Sequence, residues 1–247
     1  MSDFKTKWKV FWRIVWECFK SSITPGIMYF LAGMVMLIVQ SKNYALSAQI
    51  AWAVGCALVA FAYNGFVIWV KGGTHYEMLV SGNMKRRSAM QMGSELNISS
   101  YKFQQEYRIW KGFAIGAFVA FMTVLGSVIF GCNQDRIVAL LVQEEGAKTS
   151  TGFAVVQLIF YCFAGWILVP LAAVNAAGTA VSFFVGCAFA VFPFAITGGM
   201  YIAGAYGRRN KRLREQEIAA RAAEAEANKP KKINYGGLPG TKPRKRK

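Results

Sequence analysis

Read as hydrophobic and polar positions, the chain alternates long apolar blocks with short basic ones. A hydrocarbon core about 30 Å thick takes roughly 17 to 25 apolar residues per helix. Blocks of that order lie at residues 26–40, 46–70, 112–131, 152–174 and 179–206. The last two belong to a stretch, 152–206, that holds no charged side chain. Pro170 and the "NAAG" at 175–178 interrupt it near its middle. The pattern predicts an all-α polytopic helical membrane protein with four to five transmembrane helices, its membrane domain covering residues 23–207.

The two ends of the chain read differently. In residues 3–20 the residues Phe4, Trp8, Phe11, Trp12, Val15, Trp16 and Phe19 recur at steps of three and four. Such spacing puts rings on one helical face and Lys5, Lys9 and Arg13 mostly off it. An amphipathic helix of this kind lies in the membrane interface, rings among the acyl tops and cations on anionic headgroups. Residues 1–22 are therefore predicted to form a separate interfacial helix, broken from the first span at Thr24-Pro25-Gly26. The opposite end, 208–247, is a basic tail. Its first part, to about 227, is rich in Ala, Glu and Arg and predicts a polar helix. The rest, "NKPKKINYGGLPGTKPRKRK", has little to bury and predicts disorder.

Charge sharpens the picture more than composition does. The chain is 55% hydrophobic yet carries a formal net charge of +17. Its mean hydropathy is +0.31. Lysine and arginine mark the cytoplasmic side of a membrane. If all five blocks cross, the cations split 12 against 17, which is no bias. If an even number cross, with both termini cytoplasmic, 26 of the 29 cations share one side. The even count requires residues 152–178 to re-enter or lie buried against the bundle, with 179–206 as the true span. Residues 72–109 are then a cytoplasmic loop of a cell-membrane protein.

Candidate chemistry is sparse. The five cysteines show no paired spacing and read as small buried residues rather than metal ligands or disulfides. No charged residue lies within the five apolar blocks, which argues against a proton relay or a voltage sensor. The polar residues there, chiefly Asn64, Gln157 and Asn175, read either as interhelical glue or as a polar path. Gly178, Ser182, Gly186 and Ala190 recur every four residues, the spacing of a close helix-packing face. In the loop, His75 and Glu77 suggest a base and its orienter, followed by Lys85, Arg86 and Arg87, which suit a phosphate or a headgroup. Arg208, Arg209, Lys211 and Arg212 stand against the last span as further contacts for anionic lipid.

These features predict no catalytic, cofactor or metal residues. They predict a non-enzymatic membrane protein that scaffolds or assists a membrane complex. A transporter or channel subunit for a small or polar solute is the competing reading, and a lipid-acting enzyme using residues 72–87 a third. Expected partners are anionic lipids, a membrane protein or a second copy of the chain. Through the tail, ribosomal RNA joins them.

Overall fold

The structure, a computed structural model, describes residues 2–42, 44–91, 103–142 and 150–228. Its regular elements are all helices among the described residues, and five of them are long and apolar enough to cross a membrane. They are α1 (Ser2–Ser41), α2 (Leu46–Gln91), α3 (Ile109–Cys132), α5 (Thr151–Ala176) and α7 (Val191–Ala227). Between them lie α4 (Gln134–Leu141), α6 (Val185–Phe189) and a 3-10 turn at Phe103–Gln105. The chain divides into a bundle, residues 1–208, and a second unit from Arg209 onward that contains the exposed remainder of α7.

Two expected breaks are absent. α1 runs unbroken through Pro25, so the expected break at Thr24-Pro25-Gly26 is absent and residues 2–22 belong to the same helix as the first span. Proline removes one backbone donor, a loss that membrane helices tolerate when neighbouring groups satisfy the freed carbonyls. Ser21 Oγ donates to the Glu17 carbonyl at 2.6 Å and Ser22 Oγ to that of Phe19 at 2.7 Å, carbonyls other than the Ser21 one that the proline leaves without its backbone donor. Ile14 and Cys18 are buried in the bundle core, which anchors this segment. Likewise α2 does not stop at Lys71-Gly72-Gly73 but continues to Gln91. The expected loop 72–109 is thus helical over its first half. Of the residues that lead into α3, those from 103 onward are described. There a 3-10 turn and an extended Arg108 precede Ile109, in place of the expected helix.

Residue pairs across the bundle give the helix directions. Asn64 of α2 meets Thr197 of α7, a Cβ on Gly204 would meet Trp69, and Glu77 meets Arg208. These two helices therefore run the same way. Gly112 and Gly116 of α3 face Tyr201 and Phe194, so α3 opposes α7. Tyr29 of α1 meets Asn64 and Phe61, while Val35 shares a groove with Trp52, so α1 opposes α2. Glu17, Lys71, Lys111 and Arg208 accordingly gather at one end of the bundle, and both termini leave it there.

The stretch from 133 to 190 explains how α7 comes to oppose α3. Arg136 of α4 lies 4.6 Å over the Phe153 ring near the start of α5. Beyond α5, Gln134 Nε2 donates to the Val181 carbonyl at 3.4 Å. Phe130 packs edge-on against both Tyr161 and Phe183. The chain leaves the C-terminal end of α3 and returns to it. α5 is the most buried of the five long helices, with 50% of its apolar window covered against 28–39% for the others. It is one continuous helix with Pro170 inside it, not an interrupted re-entrant loop.

The Gly178 stripe is also corrected. Gly178 ends α5 at φ +88°, a left-handed conformation that glycine adopts without penalty. Residues 177–184 are not helical, so Gly178 and Ser182 share no helix face with Gly186 and Ala190. Nothing lies within 4 Å of where a Gly178 side chain would start, and Ser182 Oγ accepts from the Phe184 amide. Gly186 and Ala190 are buried, Gly186 against Ser127. The close helix contacts fall elsewhere. A Cβ on Gly33 would sit 2.0 Å from the Cys162 carbonyl, and one on Gly204 would sit 1.9 Å from that of Trp69.

Candidate functional site

Polar residues inside the bundle are arranged from mid-depth toward the charged end. Deepest is Asn64, wholly buried. Its amide donates to Thr197 Oγ1 at 2.9 Å and to the Tyr29 hydroxyl at 3.3 Å, joining α2, α7 and α1. Thr197 also donates to the Pro193 carbonyl at 2.6 Å, one turn back on α7.

Nearer the charged end, His75 Nδ1 pairs with the Tyr201 hydroxyl at 2.8 Å, both side chains buried. Tyr107 stacks on Tyr201 with centroids 5.3 Å apart, and its amide donates to the His75 carbonyl at 3.0 Å. Lys111 is buried to 0% exposure, and its ammonium donates to the carbonyls of Gln104 and Glu106. That clamp holds the chain on either side of Gln105. A buried ammonium needs such acceptors, because desolvation without them is expensive.

Around these groups lies a cavity of about 400 Å³, lined by Glu17 of α1, Lys71, Thr74 and His75 of α2, and Gln105. Val67, Val70 and Met78 supply its apolar wall. A larger cavity of about 630 Å³ between α1 and α2, toward their joined ends, is lined by apolar residues such as Leu31, Val35 and Trp52. It offers no polar handle for a specific ligand.

The residues singled out from the sequence are placed as follows. Asn64 is in the three-helix network described above. Asn175 Nδ2 donates to the Leu171 carbonyl at 2.9 Å and to that of Val181 at 2.8 Å, and Oδ1 accepts from the Val181 amide, so this side chain fixes the turn after α5. Gln157 donates to the Tyr161 hydroxyl at 3.5 Å, half-buried on α5. The three do not meet. His75 and Glu77 do not meet either. Two positions apart on a continuous helix, they point to different sides, and Glu77 pairs instead with Arg208 at 3.2 Å.

Lys9, Arg13, Arg87, Arg209 and Lys211 are exposed, and Arg208 and Arg212 partly so. Lys211 makes an exposed contact with Glu215 at 3.9 Å. The side chains of Lys5, Lys85 and Arg86 and the tail beyond Asn228 lie outside the described residues. Among the cysteines Cys18 is buried, but Cys132 is exposed. No group of three or more His, Cys, Asp or Glu side chains able to hold a metal occurs among the described residues.

Sequence reasoning missed Glu17, Lys71, Tyr107, Lys111 and Tyr201 as a group. Lys71 and Lys111 adjoin apolar blocks, where a charge reads as the end of a span, Glu17 and Tyr107 lie outside the blocks, and Tyr201 lies within one. Their assembly depends on α1 and α2 continuing beyond the blocks.

No protein-family model matches the chain, and neither a curated protein nor a solved structure matches it.

Proposed function

We propose that the chain is a multi-pass integral membrane protein that acts without catalysis, as a structural or assembly component of a membrane complex. The carrying observation is the use of the interior polar groups. Asn64, Thr197 and Tyr29 bond to one another across three helices rather than facing a continuous opening. A conduit for a polar solute needs such groups turned toward water along its length. Close glycine contacts between α1 and α5 and between α2 and α7 fit a rigid bundle.

The charged end, which holds both exits of the chain from the bundle, faces the cytoplasm of a cell in this reading, since it gathers nearly all the cations. Lys9, Arg13, Arg208 and Arg209 then lie where anionic headgroups reach them. The tail extends this basic surface to anionic lipid or ribosomal RNA.

The test combines flux and assembly. Purified full-length protein reconstituted into vesicles is expected to leave ion and small-solute flux at the lipid-only background. Extracted from native membranes in a mild detergent, it is expected to migrate well above its own 27.3 kDa. Flux above background that Asn64→Ala abolishes without unfolding the bundle would replace this reading with a transporter.

A further inference from the structure

The cavity at the charged end differs from the apolar cavity between α1 and α2 in carrying charged and hydrogen-bonding groups. Lys71 and Glu17 line it from two different helices. They are close enough to interact electrostatically, yet no ion pair joins them among the described residues. Its remaining polar lining is held in place from behind. The His75 ring is fixed by Tyr201, and Gln105 is fixed by the Lys111 clamp on the carbonyls of its two neighbours. Val67, Val70 and Met78 continue the wall along α2, Val67 and Val70 on the side where the apolar block begins. The cavity therefore joins a cation, a carboxylate and hydrogen-bonding groups to an apolar surface, at the level where the apolar helix faces give way to charge.

We propose that this cavity binds the headgroup of a zwitterionic phospholipid with a primary ammonium, as in a phosphatidylethanolamine, the phosphate against Lys71 and the ammonium against Glu17. The phosphate oxygens accept charge-assisted bonds from the lysine, and the ammonium donates them to the carboxylate. Thr74 and Gln105 supply further polar contacts, and the first acyl carbons lie on Val67 and Val70. The chemistry discriminates among headgroups. A quaternary choline has no N–H to donate to Glu17. A glycerol headgroup brings no cation, so Glu17 would face a net anion alone. The proposal rests on the bundle sitting in a bilayer but not on the assembly role, and reconstitution checks the first independently.

The experiment is native mass spectrometry of the delipidated full-length protein in a nonionic detergent. It is titrated with dioleoyl phosphatidylethanolamine, phosphatidylcholine or phosphatidylglycerol, and with soluble glycerophosphoethanolamine. One ethanolamine lipid is expected to be retained, with apparent affinity about tenfold above the other two, the scale of one charge-assisted bond. Glu17→Gln is expected to bring the ethanolamine lipid down to the choline level. Lys71→Gln is expected to weaken all three lipids, while Arg209→Gln, outside the cavity, leaves the preference intact. Stepwise N-methylation of the lipid applies the same test to the unaltered protein, with retention falling at the third methyl. Equal retention of the three lipids, or an ethanolamine preference that survives Glu17→Gln, overturns the proposal. So does preference for the glycerol lipid, which would reflect adsorption to a basic surface. Competition by the soluble headgroup as strong as by the lipid also overturns it, in favour of a water-soluble ligand.

Discussion

Gly72 and Gly204 sit where α2 and α7 come closest. A Cβ on Gly72 would lie 2.0 Å from the Tyr201 carbonyl, and the obstacle in both cases is backbone, which cannot swing aside. Gly72→Ala and Gly204→Ala are each expected to destabilise the bundle by about 1–3 kcal/mol, the range for overpacking a close contact. Gly55 and Gly199 have nothing within 4 Å of the same construction, so alanine there is expected to be neutral or slightly stabilising. Thermal unfolding of the four variants in detergent checks the contrast, and equal effects at all four positions would contradict the packing. The spacing singled out Gly186, which packs on Ser127, but not the glycines of the closest α2–α7 contact. The four-residue spacing pointed to Gly178 and Ser182, which fall in a non-helical turn, and it gave Gly204 no special place. Asn64 was legible as a polar residue in an apolar block. Its partners, 35 and 133 residues away, were not. Asn64→Leu leaves the Thr197 and Tyr29 hydroxyls to find other partners, a loss expected to be about 1 kcal/mol by the same measurement.

Among the elements, α1 shows how far a local rule carries. Thr24-Pro25-Gly26 reads as a break because proline lacks a backbone donor, but α1 continues through it, with Ile14 and Cys18 before it and Tyr29 after it buried in the bundle core. The aromatic pattern before it is present on the structure. Trp8, Phe11, Trp12, Trp16 and Phe19 are all exposed on α1, and Ile23, Ile27 and Leu31 continue the exposed apolar positions along it. Residues 2–22 are thus an extension of a spanning helix with an outward aromatic face. With the other four tryptophans changed to phenylalanine, fluorescence of Trp8, Trp12 and Trp16 is expected to be quenched by a nitroxide near the headgroup. Quenching by a nitroxide at the acyl terminus should be weaker, since indole rings settle at the interface. Absence of quenching by either would place this face against protein or water. The boundaries of the apolar blocks were legible because they follow composition. The continuation of α2 to Gln91 was not, because charged residues beyond Lys71 extend a helix as readily as they end a span.

For the whole molecule, the all-helical, multi-span architecture follows from block length and hydropathy, and the structure has five such helices. Helix direction bears on the proposed count of crossings as well as length does. α2 and α7 run the same way, and the chain between α3 and α7 returns to the end it left. In the even topology proposed here, with both termini cytoplasmic, the charge rule would put 26 of the 29 cations of the sequence on one side. α5 is a long apolar helix that packs on the bundle through Tyr161 against Phe130 and through the Gly33 contact. The most direct test is cysteine accessibility in intact cells. The five native cysteines are replaced, and single cysteines are placed at Ser2, Lys42 and Asn228. With a membrane-impermeant thiol reagent, position 42 is expected to react from outside. Positions 2 and 228 are expected to react only after the cells are opened. Labelling of position 228 in intact cells while position 2 stays protected would put the termini on opposite sides and contradict the parallel course of α2 and α7.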